Sequence, residues 1–158
     1  MITESVRMTS AAEARFRVQA PNSRPRSIKV VALDTAAEAV VRRLAGEGWQ
    51  HATFFLATPS PDQLSDLAGN QHSSDDTIAA ADLVVLVAGP GGRAHAASVV
   101  GEACSRRRVM TTGCLVGAAS ASERDVSRTL AQLRPWSLML VIAGSDDYID
   151  DMMTALRA

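Results

Sequence analysis

Seven residues near the middle of the chain, Gly89-Pro90-Gly91-Gly92-Arg93-Ala94-His95, combine the types that hold an anion. Glycines let a backbone turn tightly and come close to a ligand. A helix opening directly after them would aim its free amides, and the positive end of its dipole, into the same space. Arg93 adds a fixed charge with fork-shaped donors, and His95 adds another donor. A phosphate suits such an arrangement. The plainer alternative is a strand-to-helix turn that binds nothing, with Arg93 in solvent. The loop matches neither GxxxxGK[ST] nor GxGxxG.

Asp34 is the second candidate, with Thr35 beside it. Its carboxylate could accept from a ribose or a base, or bind a metal. The structural alternative is an N-cap for the helix that follows. A phospho-receiver role is disfavoured, because Lys29 is the only lysine and none follows the fifth strand. Asp146, Asp147, Asp150 and Asp151 gather at the start of the last helix, where negative charge is favourable. Arg106, Arg107 and Arg108 close another helix, where cations are favourable. The histidines at 51, 72 and 95 and the cysteines at 104 and 114 form no metal-ligand or disulfide pattern. Both thiols fall in apolar segments and read as buried.

Positioning these residues requires alternating strands and helices. The β-branched run Ile28–Leu33 reads as a buried strand. Ala36–Glu47 has helical spacing and ends at Gly48. Thr53–Ala57, Leu83–Ala88, Val109–Val116 and Leu138–Ala143 read as four further strands. Pro61–Leu64 reads as the start of a short helix, 70–74 as a polar loop, and Ser74 or Asp75 as the cap of a short helix through Ala80. Helices are also expected over Ala94–Arg106, from Ser120 or Ser122 to Leu133, and from Asp146 or Asp147 to Leu156. Continuous apolar strands between amphipathic helices indicate an α/β protein. The expected form is a doubly wound, Rossmann-like, five-stranded parallel sheet in a single three-layer domain. Ligands of such sheets sit at the carboxyl ends of the strands, where strand order reverses. Here that point falls between the first strand and the Leu83 strand, beside Asp34-Thr35 and the glycine loop.

The chain has 158 residues, enough for one domain with a real core, and a formal net charge of −1. That balance supplies no bulk attraction to nucleic acid or to an anionic membrane. No apolar run reaches the roughly 18 residues that a membrane span needs. No apolar signal core opens the sequence, so a cytoplasmic location is expected. Residues 1–26 lack sustained periodicity and end in turn formers; they read as a flexible tail, with a short helix near Ser10–Phe16. Five arginines in that tail offer contacts to a protein partner. Residues 27–158 read as the folded domain.

The residues of that domain resemble the nucleotide-binding domain of FtsZ, the bacterial tubulin homologue. Ile28-Lys29-Val30-Val31 with the helix Ala39–Leu44 resembles the family's opening strand and helix. Ala81–Gly92 resembles its strand into the glycine-rich phosphate loop, and Ala96–Glu102 the helix after it. The likeness spans roughly residues 28 to 145. It implies GTP or GDP as ligand, with backbone at Gly89, Gly91 and Gly92 against phosphate. The first turn departs from the family's glycines and reads Leu33-Asp34-Thr35-Ala36, and the acidic hydrolysis loop would lie beyond residue 158. The resemblance therefore implies nucleotide binding without efficient hydrolysis.

Three functions stay open at this stage. One is a module that binds a nucleotide or another small phosphorylated anion. The second is an interaction scaffold that keeps the fold without the ligand. The third is a small enzyme for an anionic metabolite, with Arg93 as clamp and His95 or Asp34 as acid–base group.

Overall fold

Strand β1 (Ile28–Ala32) lies at the centre of the molecule because its residues carry branched apolar side chains toward both faces. Ile28, Val30 and Ala32 point into one apolar core; Val31 points into the other. The structure is a computed structural model and describes residues 26–92 and 94–158. Residues 1–25 and Arg93 lie outside the described residues, and with them nearly all of the expected tail, its short helix and the arginine of the glycine loop.

Helix α1 (Thr35–Ala45) follows β1 and buries Ala37, Val41 and Leu44, one face at helical spacing. Strand β2 is Ala52–Ala57, and two short strands come next, β3 (Gln63–Asp66) and β4 (Gln71–Ser73). Helix α2 (Ser74–Ala79) is capped by the Ser73 hydroxyl, one residue earlier than the sequence suggested. Strand β5 (Leu83–Ala88) is buried at every position. Helix α3 (Ala96–Arg107), strand β6 (Met110–Leu115), helix α4 (Glu123–Leu133), strand β7 (Met139–Ile142) and helix α5 (Asp146–Ala155) follow, with 3-10 turns at Ala118–Ser120 and Arg134–Trp136. Ser122 caps α4, at capping-box spacing from Asp125.

The sheet has seven strands in the order β4-β3-β2-β1-β5-β6-β7. This corrects the expectation of a purely parallel five-stranded sheet. The five expected strands are present and mutually parallel, and a two-stranded antiparallel extension continues the sheet beyond β2. The extension replaces the short helix expected at Pro61–Leu64 and the loop expected over 70–74. Its cause is local. The Asp66 carboxylate accepts from the amides of Ala68 and Asn70, each at 2.9 Å, and Gly69 takes φ +93°. That tight turn folds β4 back on β3, and Leu64 is buried beneath it.

Two cores cover the two faces. One joins β1 and β5 to α1 and α5 through residues such as Val41, Leu44, Ile149 and Met153. The other joins them to α2, α3 and α4 through Ile78, Val100, Cys104 and Leu133. The domain is thus a single three-layer α/β unit. Numbered among themselves, the five parallel strands run 2-1-3-4-5. The order reverses between β1 and β5, which pair from Ile28–Leu83 to Ala32–Val87. The chain therefore leaves these neighbouring strands at Asp34 and at Gly89, on the edge where such sheets place ligands. Among the described residues, no helix is long and apolar enough to cross a membrane.

Candidate functional site

The two connections that open this edge are tied together by one carboxylate. Asp34 is the N-cap of α1 in extended backbone, and its Oδ1 accepts the Ala37 amide at 2.8 Å. Its Oδ2 accepts the Gly89 amide, also at 2.8 Å. The chain requires an acceptor here because Gly89 is buried and its N–H has left the β5 ladder.

The rest of the glycine loop is held from α4. The Thr129 hydroxyl accepts the Gly91 amide at 3.0 Å and donates to the Gly89 carbonyl at 3.4 Å. Gln132 Oε1 accepts the Ala94 amide at 3.2 Å. Asp125 faces Gly91, which takes φ +75°; a Cβ at that position would lie 3.0 to 3.2 Å from the Asp125 carboxyl atoms. A Cβ at Gly92 would lie 2.6 Å from Asp34 Oδ2. The glycines are needed, but the atoms that approach their open sides are this chain's own carboxylates.

Asp34, Thr35, Gly89 and Gly92 come together, as expected, around a shallow hollow of about 390 Å³ that Leu33, Ala36 and Pro90 complete. Thr35 is exposed on its rim. His95 does not join them. It begins α3 with no side-chain capping bond and lines a neighbouring cavity of about 530 Å³ between the β2–β3 connection and α3. Thr58, Ser60, Gln63 and Ser74 supply polar groups there; Leu33, Leu64, Val99 and Val100 supply apolar surface. Arg93 lies outside the described residues, so its place relative to either hollow is not assigned.

In comparisons with known protein families and with curated proteins, nothing matches the chain. The likeness to FtsZ accordingly rests on the quoted residues alone.

Chemically, the first hollow is poor ground for a phosphate. The amides of Gly89, Gly91 and Ala94 are already bonded, and the Asp34 and Asp125 carboxylates border the same loop. An entering anion would have to displace Asp34 and face like charge. The second cavity falls in the size range of small-molecule sites, and among the described residues its lining holds hydroxyls, an amide and an imidazole but no carboxylate. Among the described residues no cluster of three or more His, Cys, Asp or Glu side chains is arranged to hold a metal.

Sequence reasoning missed Asp125, Thr129 and Gln132. A signal for them was present. They stand at i, i+4 and i+7 of one helix, so α4 turns a polar stripe, with Thr129 itself buried, toward the sheet edge next to the buried Leu133. A polar stripe on an inward-facing helical surface predicts a polar partner inside the fold. Here that partner is the glycine loop.

Cys104 and Cys114 are both buried, as read from their apolar segments, and burial pushes each thiol up to about 12. Neither borders the two hollows.

Proposed function

We propose that this chain works as an interaction scaffold on a Rossmann-like frame, and that its glycine loop is a structural joint instead of a phosphate cradle. The observation that supports this is the double acceptance by Asp34, which places a carboxylate where an anionic ligand would need the Gly89 amide. The resemblance to FtsZ then concerns the frame of strand, glycine loop and helix, and leaves GTP and GDP without a seat. The enzyme reading loses support too, because His95 and Asp34 border different hollows.

A second reading draws on the 530 Å³ cavity. Its mixed lining of hydroxyls, an amide, an imidazole and apolar side chains suits a small, partly apolar ligand.

Titration with GTP, GDP, ATP and NAD, followed by thermal unfolding, tests the scaffold reading. The expected result is no stabilisation by any of them. A ligand at one hundred times its Kd would add about 2.7 kcal/mol, a readily visible rise in Tm. Such a rise with any nucleotide would overturn the scaffold reading.

A further inference from the structure

The cavity of about 530 Å³ between α3 and the β2–β3 connection has polar groups at two separate places. The first is the start of α3. His95 and Ala96 line the wall there, and the helix runs twelve residues from Ala96 to Arg107. No side chain caps that end, and its first turn, Ala96-Ala97-Ser98-Val99, holds no acidic residue. The amides of His95 and Ala96 meet no acceptor among the described residues. A helix end of this kind favours an anion.

The second place is Ser74, which is only 6% exposed and lines the same cavity. Its amide donates to the Asp62 carbonyl at 2.9 Å, but its hydroxyl has no partner among the described residues. Among those residues the one sealed, unpartnered side-chain atom is Trp49 Nε1, so the Ser74 hydroxyl opens onto space. The space beside it is this cavity and a neighbouring one of about 360 Å³. The Thr58 hydroxyl differs: it is taken up by the Ser60 and Gln63 carbonyls, at 2.9 and 2.8 Å, and holds the β2–β3 connection in shape. A buried hydroxyl without a partner is costly, so Ser74 points to a ligand atom.

We propose that this cavity binds a small monocarboxylate with an apolar body and a hydroxyl at its far end, the carboxylate at the start of α3 and the hydroxyl on Ser74. Leu33, Leu64, Val99 and Val100 supply apolar wall for the body. Ser74 shares the neighbouring cavity with Val99, Glu102 and Ala103, which places it beside the second turn of α3. One turn is roughly 5.4 Å along the axis, which sets the spacing of the ligand's two polar ends. Charge sets its direction. Beyond Ser74 lie Asp62, Asp75 and Glu102, with Arg106 held 3.6 Å from Asp75. Those carboxylates repel an acid end and accept from a donor. Burial around Ser74 makes a neutral donor, a hydroxyl, the better fit than a full charge.

The proposal deepens the second reading, that the cavity is a small-molecule site, and rests on it. Amide NMR of the ¹⁵N-labelled full chain, titrated with 4-hydroxybenzoate and with 6-hydroxyhexanoate, is the test. The expected result is saturable movement of the Ser74, His95 and Ala96 resonances with at least one of them. His95→Asp sets a carboxylate at the start of α3 and weakens that binding at least about tenfold. The position is exposed and aspartate caps helices well, so the fold is kept. Ser74→Ala weakens the hydroxy acid about fivefold and leaves benzoate or hexanoate, which lack the hydroxyl, unchanged. Circular dichroism establishes that both variants stay folded. 4-Hydroxybenzamide, the same shape without the charge, binds more weakly than the acid. Equal binding of amide and acid, or binding indifferent to either variant, would overturn the proposal and leave the cavity a site of another kind. No movement with the acids or the amide would overturn the proposal and the second reading together.

Discussion

Asp34 Oδ2 accepts the Gly89 amide at 2.8 Å, across 55 residues of sequence, while Oδ1 caps α1 at Ala37. One side chain thus closes a helix end and joins the two connections at the sheet's reversal point. Asp34→Ala removes both bonds. Loss of the cap costs about 1 kcal/mol, and the buried Gly89 amide left without an acceptor costs about 1–3 kcal/mol more. Asp34→Asn keeps one acceptor for the cap and presents a donor to Gly89, so it falls between the two. Urea denaturation with an unchanged m-value checks the order wild type, Asn, Ala.

The closeness of Gly92 to Asp34 predicts coupling between them. A Cβ at Gly92 lies 2.6 Å from Oδ2 of a carboxylate already held by two amides. Gly92→Ala should cost about 1–3 kcal/mol in the native background through overpacking. In the Asp34→Ala background the obstacle is gone, and the cost should fall well below that. A double-mutant cycle measures the difference; strict additivity would show that the loop does not press on the carboxylate.

Much of this fold was legible. The five parallel strands were visible because runs such as Leu83-Val84-Val85-Leu86-Val87 are buried on both faces and read as continuous apolar sequence. The reversal point followed from the alternation of strands and helices. β3 and β4 were not legible. Four and three residues are too few to show alternation, and β4 is wholly exposed, so no apolar residue marks it. Their pairing comes from the Asp66 turn, a hydrogen-bond pattern with no periodicity. At the site, the glycines and Asp34 were correctly singled out as residues that meet. The identity of the group meeting the glycine amides was not legible, because Thr129 and Gln132 are 38 residues from their partners. Asp34 carried both readings, cap and ligand group, and only geometry shows the cap.

The β3–β4 turn gives a pH dependence. The hydrogen bond from the His72 ring, joined by bonds from Asn70 and Ala68, lowers the Asp66 carboxyl from 3.8 to about 2. A group depressed in the folded state stabilises fully above its unfolded value, and that stability is lost as pH falls from 3.8 toward 2. Asp66→Asn should therefore unfold at a lower temperature than the wild type at neutral pH. The gap should close through that acid window. A gap that stays constant down to pH 2 would contradict the assignment.

The two thiols give a kinetic prediction. Burial holds Cys104 and Cys114 protonated up to about 12, and thiolate is the reacting form. A thiol reagent at pH 8 should label neither cysteine in the native chain, and both once denaturant is added. Rapid native labelling of Cys104 would mean that α3 opens from the sheet far more often than its packing implies.

The central claim is that the Gly89 and Gly91 amides of the glycine loop are bonded inside the protein. Amide-resolved hydrogen exchange with ¹⁵N-labelled chain, with and without GDP, measures this directly. The account predicts slow exchange at Gly89 and Gly91, with resonances that stay in place as GDP is added. Fast exchange at both amides, with resonances that move to saturation as GDP rises, would contradict it.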